Sequence, residues 1–379
     1  MNNTKVLHVL GSMERAGVQA HLMDILRKTS RENYNVPMDF LCLGGKKGAH
    51  SEEIESYGSR VIPMKLEKNP LSIAKFSLNF IKLLKKGKYK VIHSHVHYCS
   101  GVILFLSYLA KVPIRISHIH NTDDGKKNTI TRIIYRKFMR LLIKLFATDD
   151  ITGSELAAEN FIGKNWKKDK RWSLIYYCVE PFPFLSSSKK DMLDVKSEFG
   201  IPSNACVIGH VGRFEKQKNH EFLLKVAKEI TAINPKAMFL LAGDGRLYKK
   251  IRQKAKAEKI EKHFVFAGVR PDIPRIMRAM DIFLFPSLHE GVPLACLEAQ
   301  LSGLRCLVSS TVSDDFVFMP DAVKFLSLEQ SPKLWAEEAL RMLKEPKPKK
   351  SEIISNFKKS NFRIELCIEN LMKIYHHAH

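Results

Sequence analysis

The sequence predicts an α/β protein built from two doubly wound parallel sheets, and three observations carry that expectation. The chain of 379 residues is too long for one ordinary hydrophobic core. Short apolar runs alternate with helical stretches from end to end, the pattern of β–α–β units. Pro181, Pro183 and the serines at 186–188 read as a linker, which divides the chain into domains at 1–183 and 184–355.

In the first half, Val6–Leu10 (VLHVL) is a short buried strand ending at Gly11, and Gly17 precedes the helical pattern Ala20–Lys28. A strand at Asp39–Leu43, a helix at Ser51–Tyr57 and a strand at Arg60–Pro63 follow, then a helix at Leu71–Lys85 stopped by Gly87. Val91–Ser94 is a strand opening into His95, Val96 and His97; after a helix at Ser100–Lys111, the strand Ile114–Ile119 emerges at His120. Ligands of such sheets sit beyond the carboxyl ends of the strands, so these histidines stand where chemistry can happen. They lack the helical spacing and carboxylate partners of a recognised zinc motif, and no metal site is expected on them. The helix Ile130–Phe146, a strand at Asp150–Ser154, a helix from Glu155 and a last strand at Leu174–Val179 complete the half.

The second half opens with a helix at Lys190–Phe199 and a strand at Ala205–Val211 that runs into GRFEKQKNHEF. Gly212 lets the chain turn, and Arg213 and Lys218 put two cations at the strand end before a helix begins near His220. A diphosphate leaving group requires such cations, because its charge grows as the bond to it breaks. Ala237–Ala242 is a strand closed by Gly243-Asp244-Gly245; a helix at Leu247–Glu258, a strand at Phe264–Phe266, a loop and a helix at Ile273–Ala279 follow. Asp281–Gly303 (DIFLFPSLHEGVPLACLEAQLSG) then reads as a buried strand Ile282–Phe285, a loop carrying Glu290, Gly291 and Val292, and a helix with Pro293 at its first position. A helix N-terminus offers unpaired N–H groups to phosphate. Glu290 and Glu298 flank that spot, and carboxylates suit hydroxyls, so the arrangement fits a diphosphate with hydroxyl groups at both ends: a nucleotide sugar. The plain alternative is an ordinary strand–loop–helix whose acidic residue complements the helix dipole. A strand at Arg305–Ser309, a helix at Lys333–Leu343 and a terminal helix at Ile353–Tyr375 close the chain.

Glu290, seven residues and Glu298, in the setting HEGVPLACLEAQ, together with GRFEKQKN, resemble the signature of retaining glycosyltransferases of the GT-B type often called family 4. The resemblance implies two Rossmann-like parallel-sheet domains facing a cleft, with residues 356–379 as a C-terminal helix crossing back to the first. It implies that Glu298 holds ribose hydroxyls, Glu290 contacts the sugar, Arg213 and Lys218 meet the diphosphate, and His120 faces the transferred sugar. His120, Arg213, Lys218 and Glu290 are thus the candidate catalytic residues. Gly17, Gly212, Gly243, Gly291, Val292 and Pro293 would line the donor, with Val269 and Arg270 near the base. One departure stands out: Tyr177 and Cys178 occupy the place where the family usually shows Asn-Gly. The implied activity is a metal-independent, cofactor-free transfer from a nucleotide-sugar donor, UDP-sugars foremost, to a glycan or lipid-linked acceptor in bacterial exopolysaccharide, capsule or other surface-polysaccharide synthesis. A nucleotide-sugar epimerase on the same fold and a non-catalytic sugar-nucleotide-binding subunit are the alternatives. A glycosidase would use paired carboxylates but has no need of cations at the strand end.

A net charge of +23 and a pI near 9.6 favour anionic partners. No RNP or helix-turn-helix pattern accompanies the charge, so nucleic acid is not expected. On Ile130–Phe146, Arg132, Arg136, Arg140 and Lys144 recur every fourth position among apolar residues; a helix resting on anionic lipid and a domain helix with a solvated basic edge both fit. Trp166 and Trp172, in a further basic cluster, would suit an interface. The seven cysteines show no CxxC and read as reduced core thiols. No secretory pattern and no long uncharged apolar stretch occur, so the expectation is a cytoplasmic protein, with the inner membrane face as a candidate peripheral site. The oligomeric state is left open.

Overall fold

The computed structural model describes residues 4–67, 69–121, 128–185 and 189–376. The chain forms two compact units, Met1–Cys178 with Ile364–His379, and Val179–Arg363. The expected linker serines at 186–188 lie outside the described residues.

The first unit holds a seven-stranded sheet: β1 (Val6–Leu10), β2 (Met38–Cys42), β3 (Val61–Pro63), β4 (Val91–Ser94), β5 (Ile114–Ile119), β6 (Asp149–Thr152) and β7 (Trp172–Leu174). The strands are parallel, in the order β3-β2-β1-β4-β5-β6-β7. Alternation divides β1 between two cores. Leu7 and Val9 pack with Phe76 and Phe80 of helix Pro70–Gly87 and with Ile103 and Leu106 of helix Ser100–Leu109. Val6 and Leu10 face the other way, against Leu22, Ile25 and Leu26 of helix Gly17–Arg31 and Ile368 and Leu371 of helix Ile364–Tyr375.

The second unit holds a six-stranded parallel sheet in the order β10-β9-β8-β11-β12-β13, formed by β8 (Cys206–Val211), β9 (Ala237–Ala242), β10 (Phe264–Gly268), β11 (Ile282–Phe285), β12 (Arg305–Ser309) and β13 (Val323–Leu326). Each sheet reverses its winding once, between β1 and β4 in the first and between β8 and β11 in the second. The loops leaving β8 and β11 therefore lie side by side at the switch point, where open α/β sheets bind ligands.

Several boundaries differ from expectation for physical reasons. The expected last strand of the first half is β7, ending at Leu174; residues 175–180 are irregular, and Tyr177 and Cys178 are buried by side-chain packing. The expected terminal helix is two, Lys350–Lys359 and Ile364–Tyr375, separated at Ser360, which is extended.

 At φ −81° and ψ 164° that residue cannot continue the helical hydrogen-bond ladder, and only the second helix belongs to the first unit. Pro293 is the cap of helix Leu294–Leu301 rather than its first residue (ψ 90°), while Gly17 opens its helix instead of preceding it. Among the described residues no helix is long and apolar enough to cross a membrane.

Candidate active site

In the second unit the loops leaving β8 and β11 meet through an ion pair. Lys218 Nζ lies 2.8 Å from Glu290 Oε1, with the two side chains 14% and 8% exposed. Gln217 Nε2 donates to Glu290 Oε2 at 3.1 Å and to the His289 carbonyl at 2.9 Å, and the Leu288 N–H donates to the Gln217 carbonyl at 2.8 Å. The Lys218 ammonium also lies 4.5 Å from the centre of the Phe285 ring. A lysine so placed is held at the strand exits by a partner it can exchange for an incoming anion.

Glycine makes the floor. A Cβ on Gly243 would fall 2.1 Å from the Gly212 carbonyl oxygen, and its φ of +139° is closed to most side chains. A Cβ on Gly212 would press on Lys218 Cδ at 3.2 Å and His210 Nε2 at 3.0 Å. The backbones after β8 and β9 thus touch, with Lys218 lying across them. Helix Leu294–Leu301 starts beside Glu290, and no side chain caps it. Its first N–H groups have no intrahelical partner, and the loop before it carries Gly291 and Val292, both buried. Glu298, one turn into that helix, is half-buried.

Arg213 is exposed, and its guanidinium forms no ion pair among the described residues, which leaves it available to an anion. The loop after β10 is less simple. Val269 is exposed, but the Arg270 guanidinium is taken up by Asp272 at 2.9 Å and Glu198 at 2.9 Å. A base contact from Arg270 would have to break those pairs.

In the first unit, the strand exits expected to carry His95, His97 and His120 carry a larger array. His8 on β1, His93 and His95 from β4, and His118 and His120 from β5 stack on one face of the sheet, with neighbouring ring centres 3.9–5.3 Å apart. His8 Nδ1 meets His95 Nε2 at 3.0 Å, His95 Nδ1 meets His120 Nε2 at 2.8 Å, and His120 Nδ1 is bonded to the Tyr177 hydroxyl. A second line joins His118 Nδ1 to His93 Nε2 at 3.0 Å and His93 Nδ1 to the Tyr375 hydroxyl at 2.8 Å. Burial keeps these rings neutral: desolvation lowers His8 to about 3, with repulsion from His21 adding to it, and drives His93, His95, His118 and His120 well below the usual histidine range.

Both nitrogens of His120 are therefore engaged. A sugar hydroxyl could bond Nδ1 only by displacing Tyr177, the residue that stands where Asn is usual. His97 turns away from the array and packs against Tyr98 and Phe161. His8, His93 and His118 were missed as site residues, although the steps of two from His93 to His95 and from His118 to His120 put each pair on one face of a strand.

Helix Ile130–Phe146 corrects the expectation of an outward basic line. Arg136 and Arg140 lie over the Tyr98 ring, and Arg140 Nη2 donates to the Tyr98 hydroxyl at 3.0 Å. The outermost stripe is apolar instead: Ile130, Ile134, Phe138, Leu141 and Leu145 are 50–78% exposed. Trp166 is buried and offers nothing to an interface, and Trp172 is half-buried in β7.

Comparison with known proteins agrees with this division. Residues 192–360 match the family described as glycosyl transferases group 1, and residues 15–179 match glycosyltransferase family 4. The chain is similar to the putative glycosyltransferase EpsF of Bacillus subtilis, at 30% identity over 98% of this chain and 96% of the relative. It is similar to the capsular polysaccharide biosynthesis glycosyltransferase CapH of Staphylococcus aureus, at 28% identity over 98% of each. The Anabaena protein HepE, solved in complex with UDP and glucose, shares the fold with a TM-score of 0.80 at 18% identity over 98% of each chain.

Proposed function

The chain belongs to the group 1, family 4 glycosyltransferases of GT-B type, and from that membership we propose that it moves a sugar from a UDP-sugar to a glycan or lipid-linked acceptor in surface-polysaccharide synthesis, with retention of configuration. The observation that carries the proposal is the Lys218–Glu290 pair across the β8 and β11 exits, 2.8 Å long, over a floor that only glycine can form. A diphosphate entering there would take Lys218 from Glu290 and gain Arg213 and the N-terminus of helix Leu294–Leu301. Glu290, released, would accept from a sugar hydroxyl, and Glu298 from the ribose. No side chain here needs a metal, since Lys218 and Arg213 supply the positive charge that offsets the leaving diphosphate. UDP in the HepE structure supports uridine as the base, and the naming of CapH supports a polysaccharide product.

A thermal-shift panel of UDP-, GDP- and ADP-sugars tests the donor. A ligand at about a hundredfold its Kd stabilises the fold by ~2.7 kcal/mol. UDP-sugars should raise Tm, and silence from all three classes would contradict the reading. Product analysis with and without an acceptor glycan separates transfer from epimerisation, because an epimerase acts on the donor alone.

The apolar stripe of helix Ile130–Phe146 supports a further part of the proposal, a first unit that rests on an anionic membrane where a lipid-linked acceptor resides. Phe138 and Leu141 would enter the interface while Lys137 and Lys144, both exposed, meet the headgroups. Flotation with vesicles containing phosphatidylglycerol should recover the protein in a salt-sensitive manner, and Phe138→Glu with Leu141→Glu should abolish recovery. Equal recovery of wild type with neutral and anionic vesicles would refute the charge component.

A further inference from the structure

Three side chains far apart in sequence converge in the first unit beneath the histidine array: His21 on helix Gly17–Arg31, Cys178 at the point where the chain leaves the unit, and Cys367 on the helix with which it returns. Their ligand atoms all lie within 4.8 Å of one another, and the residues are 3%, 1% and 2% exposed. We propose that His21, Cys178 and Cys367 bind a zinc ion that ties the first helix, the exit segment and the returning helix together.

The geometry suits zinc. Zinc–sulfur and zinc–nitrogen bonds of about 2.3 and 2.05 Å at a tetrahedral angle separate the two donor atoms by ~3.6 Å. Cys178 Sγ lies 3.4 Å from His21 Nδ1. Without metal this contact is a thiol–imidazole hydrogen bond, and the other contacts of that nitrogen are long, 3.3 Å to the Cys178 amide and 3.5 Å to the Cys178 carbonyl; zinc would replace the thiol proton between sulfur and nitrogen with almost no movement of either. Charge also balances. On binding, two thiols release their protons to solvent, and two thiolates, a neutral imidazole and Zn²⁺ sum to zero, which a buried site needs. Water is the fourth donor that keeps this balance, since Asp24, one turn along the helix from His21, already pairs with Arg27 at 3.1 Å. Sulfur and imidazole donors select zinc over calcium or magnesium. The ion would be structural: it lies outside the nucleotide site in the second unit and leaves the chemistry there metal-free.

The histidine array could itself attract metal, since His8, His93 and His95, and likewise His95, His118 and His120, are also within ligating distance. The array differs in that its nitrogens already bond one another at 2.8–3.0 Å. Cobalt distinguishes the two, because only thiolate ligands give an intense near-ultraviolet charge-transfer band.

The test uses the full chain purified without chelator from zinc-supplemented cells. Elemental analysis should find about one zinc per chain. Cobalt titrated into chelator-stripped wild type should raise the thiolate band with tetrahedral visible bands, and zinc should bleach them. Cys178→Ser and Cys367→Ser should each cut the band to half or less, and the double variant should lose it. Should those variants fail to fold, alkylation of wild type decides: Cys178 and Cys367 should label faster after stripping, and zinc should restore protection. Absence of bound metal with no cobalt band, a cobalt spectrum lacking the thiolate band, or a Cys178–Cys367 disulfide in the purified protein would each overturn the proposal.

Discussion

Lys218→Ala should lower turnover by about 10²–10³-fold, the loss typical of removing one preorganised charge from a developing oxyanion. The reason lies in when the charge appears. The bound donor already carries a diphosphate, but breaking its bond to the sugar adds negative charge on the leaving oxygen, and a fixed ammonium gains most at that moment. The Michaelis constant should therefore rise by much less than kcat falls. Lys218 also holds Glu290, buried at 8% exposure, so its removal leaves a carboxylate short of a partner. Lys218→Ala combined with Glu290→Gln should recover any lost stability without recovering kcat. Arg213, exposed and without an ion pair among the described residues, should show the same kinetic pattern with no stability cost. A change confined to the Michaelis constant would make both residues ground-state clamps.

The second large effect is on stability in acid. His8, His93, His95, His118 and His120 are held neutral, because burial desolvates the rings and puts their folded-state pKa values below the ordinary 6.5. The unfolded chain binds protons on these rings from about pH 6.5 downwards, and the folded chain does not. Stability is thus intact above that pH and is lost as pH falls towards the folded values, the sign expected when the unfolded state holds more protons. Each such ring costs about 1 kcal/mol between pH 6.5 and 5.5, so the five together remove ~5 kcal/mol, and Asp150 of β6, whose carboxyl burial pushes up to about 7, returns about 1 by taking up a proton in the folded state; the net loss of ~4 kcal/mol is a large part of ordinary domain stability. Urea unfolding followed by tyrosine fluorescence should show the first unit weakening steeply over that window. His118→Gln should flatten the slope by about one proton. Equal stability at pH 7.5 and 5.5 would contradict the neutral array.

Both effects bear on what the residues alone could reveal. Val91–Ser94, Ile114–Ile119, Ala237–Ala242, Ile282–Phe285 and Arg305–Ser309 fall where the sequence reading put them, because central parallel strands are apolar on both faces and bounded by glycine, proline or polar exits. Lys218, Glu290 and the glycines were legible for a related reason: a short motif builds each loop, and the topology at the switch point brings the two loops together. The histidine array was harder to see. VLHVL and VIHS read as apolar strands interrupted by one polar residue, and only the sheet order sets His8 beside His93. His21, Cys178 and Cys367 share no local pattern at all. Their meeting depends on the chain leaving the first unit and returning to it through the break at Ser360, where neither proline nor glycine marks a stop. On Ile130–Phe146 the fourfold arginine spacing was plain, but which side of the helix faced out was decided by Tyr98, on a different segment.

Glu298 is the most direct probe of a nucleotide sugar bound at the β8 and β11 exits, because a ribose-binding carboxylate has no part in the Lys218–Glu290 pair. Calorimetric titration of the full chain with UDP should give binding that Glu298→Gln weakens by about 10- to 150-fold, the loss of a charge-assisted hydrogen bond worth ~1.5–3 kcal/mol, at unchanged melting temperature. Equal affinity for UDP in the variant and the wild type would contradict it.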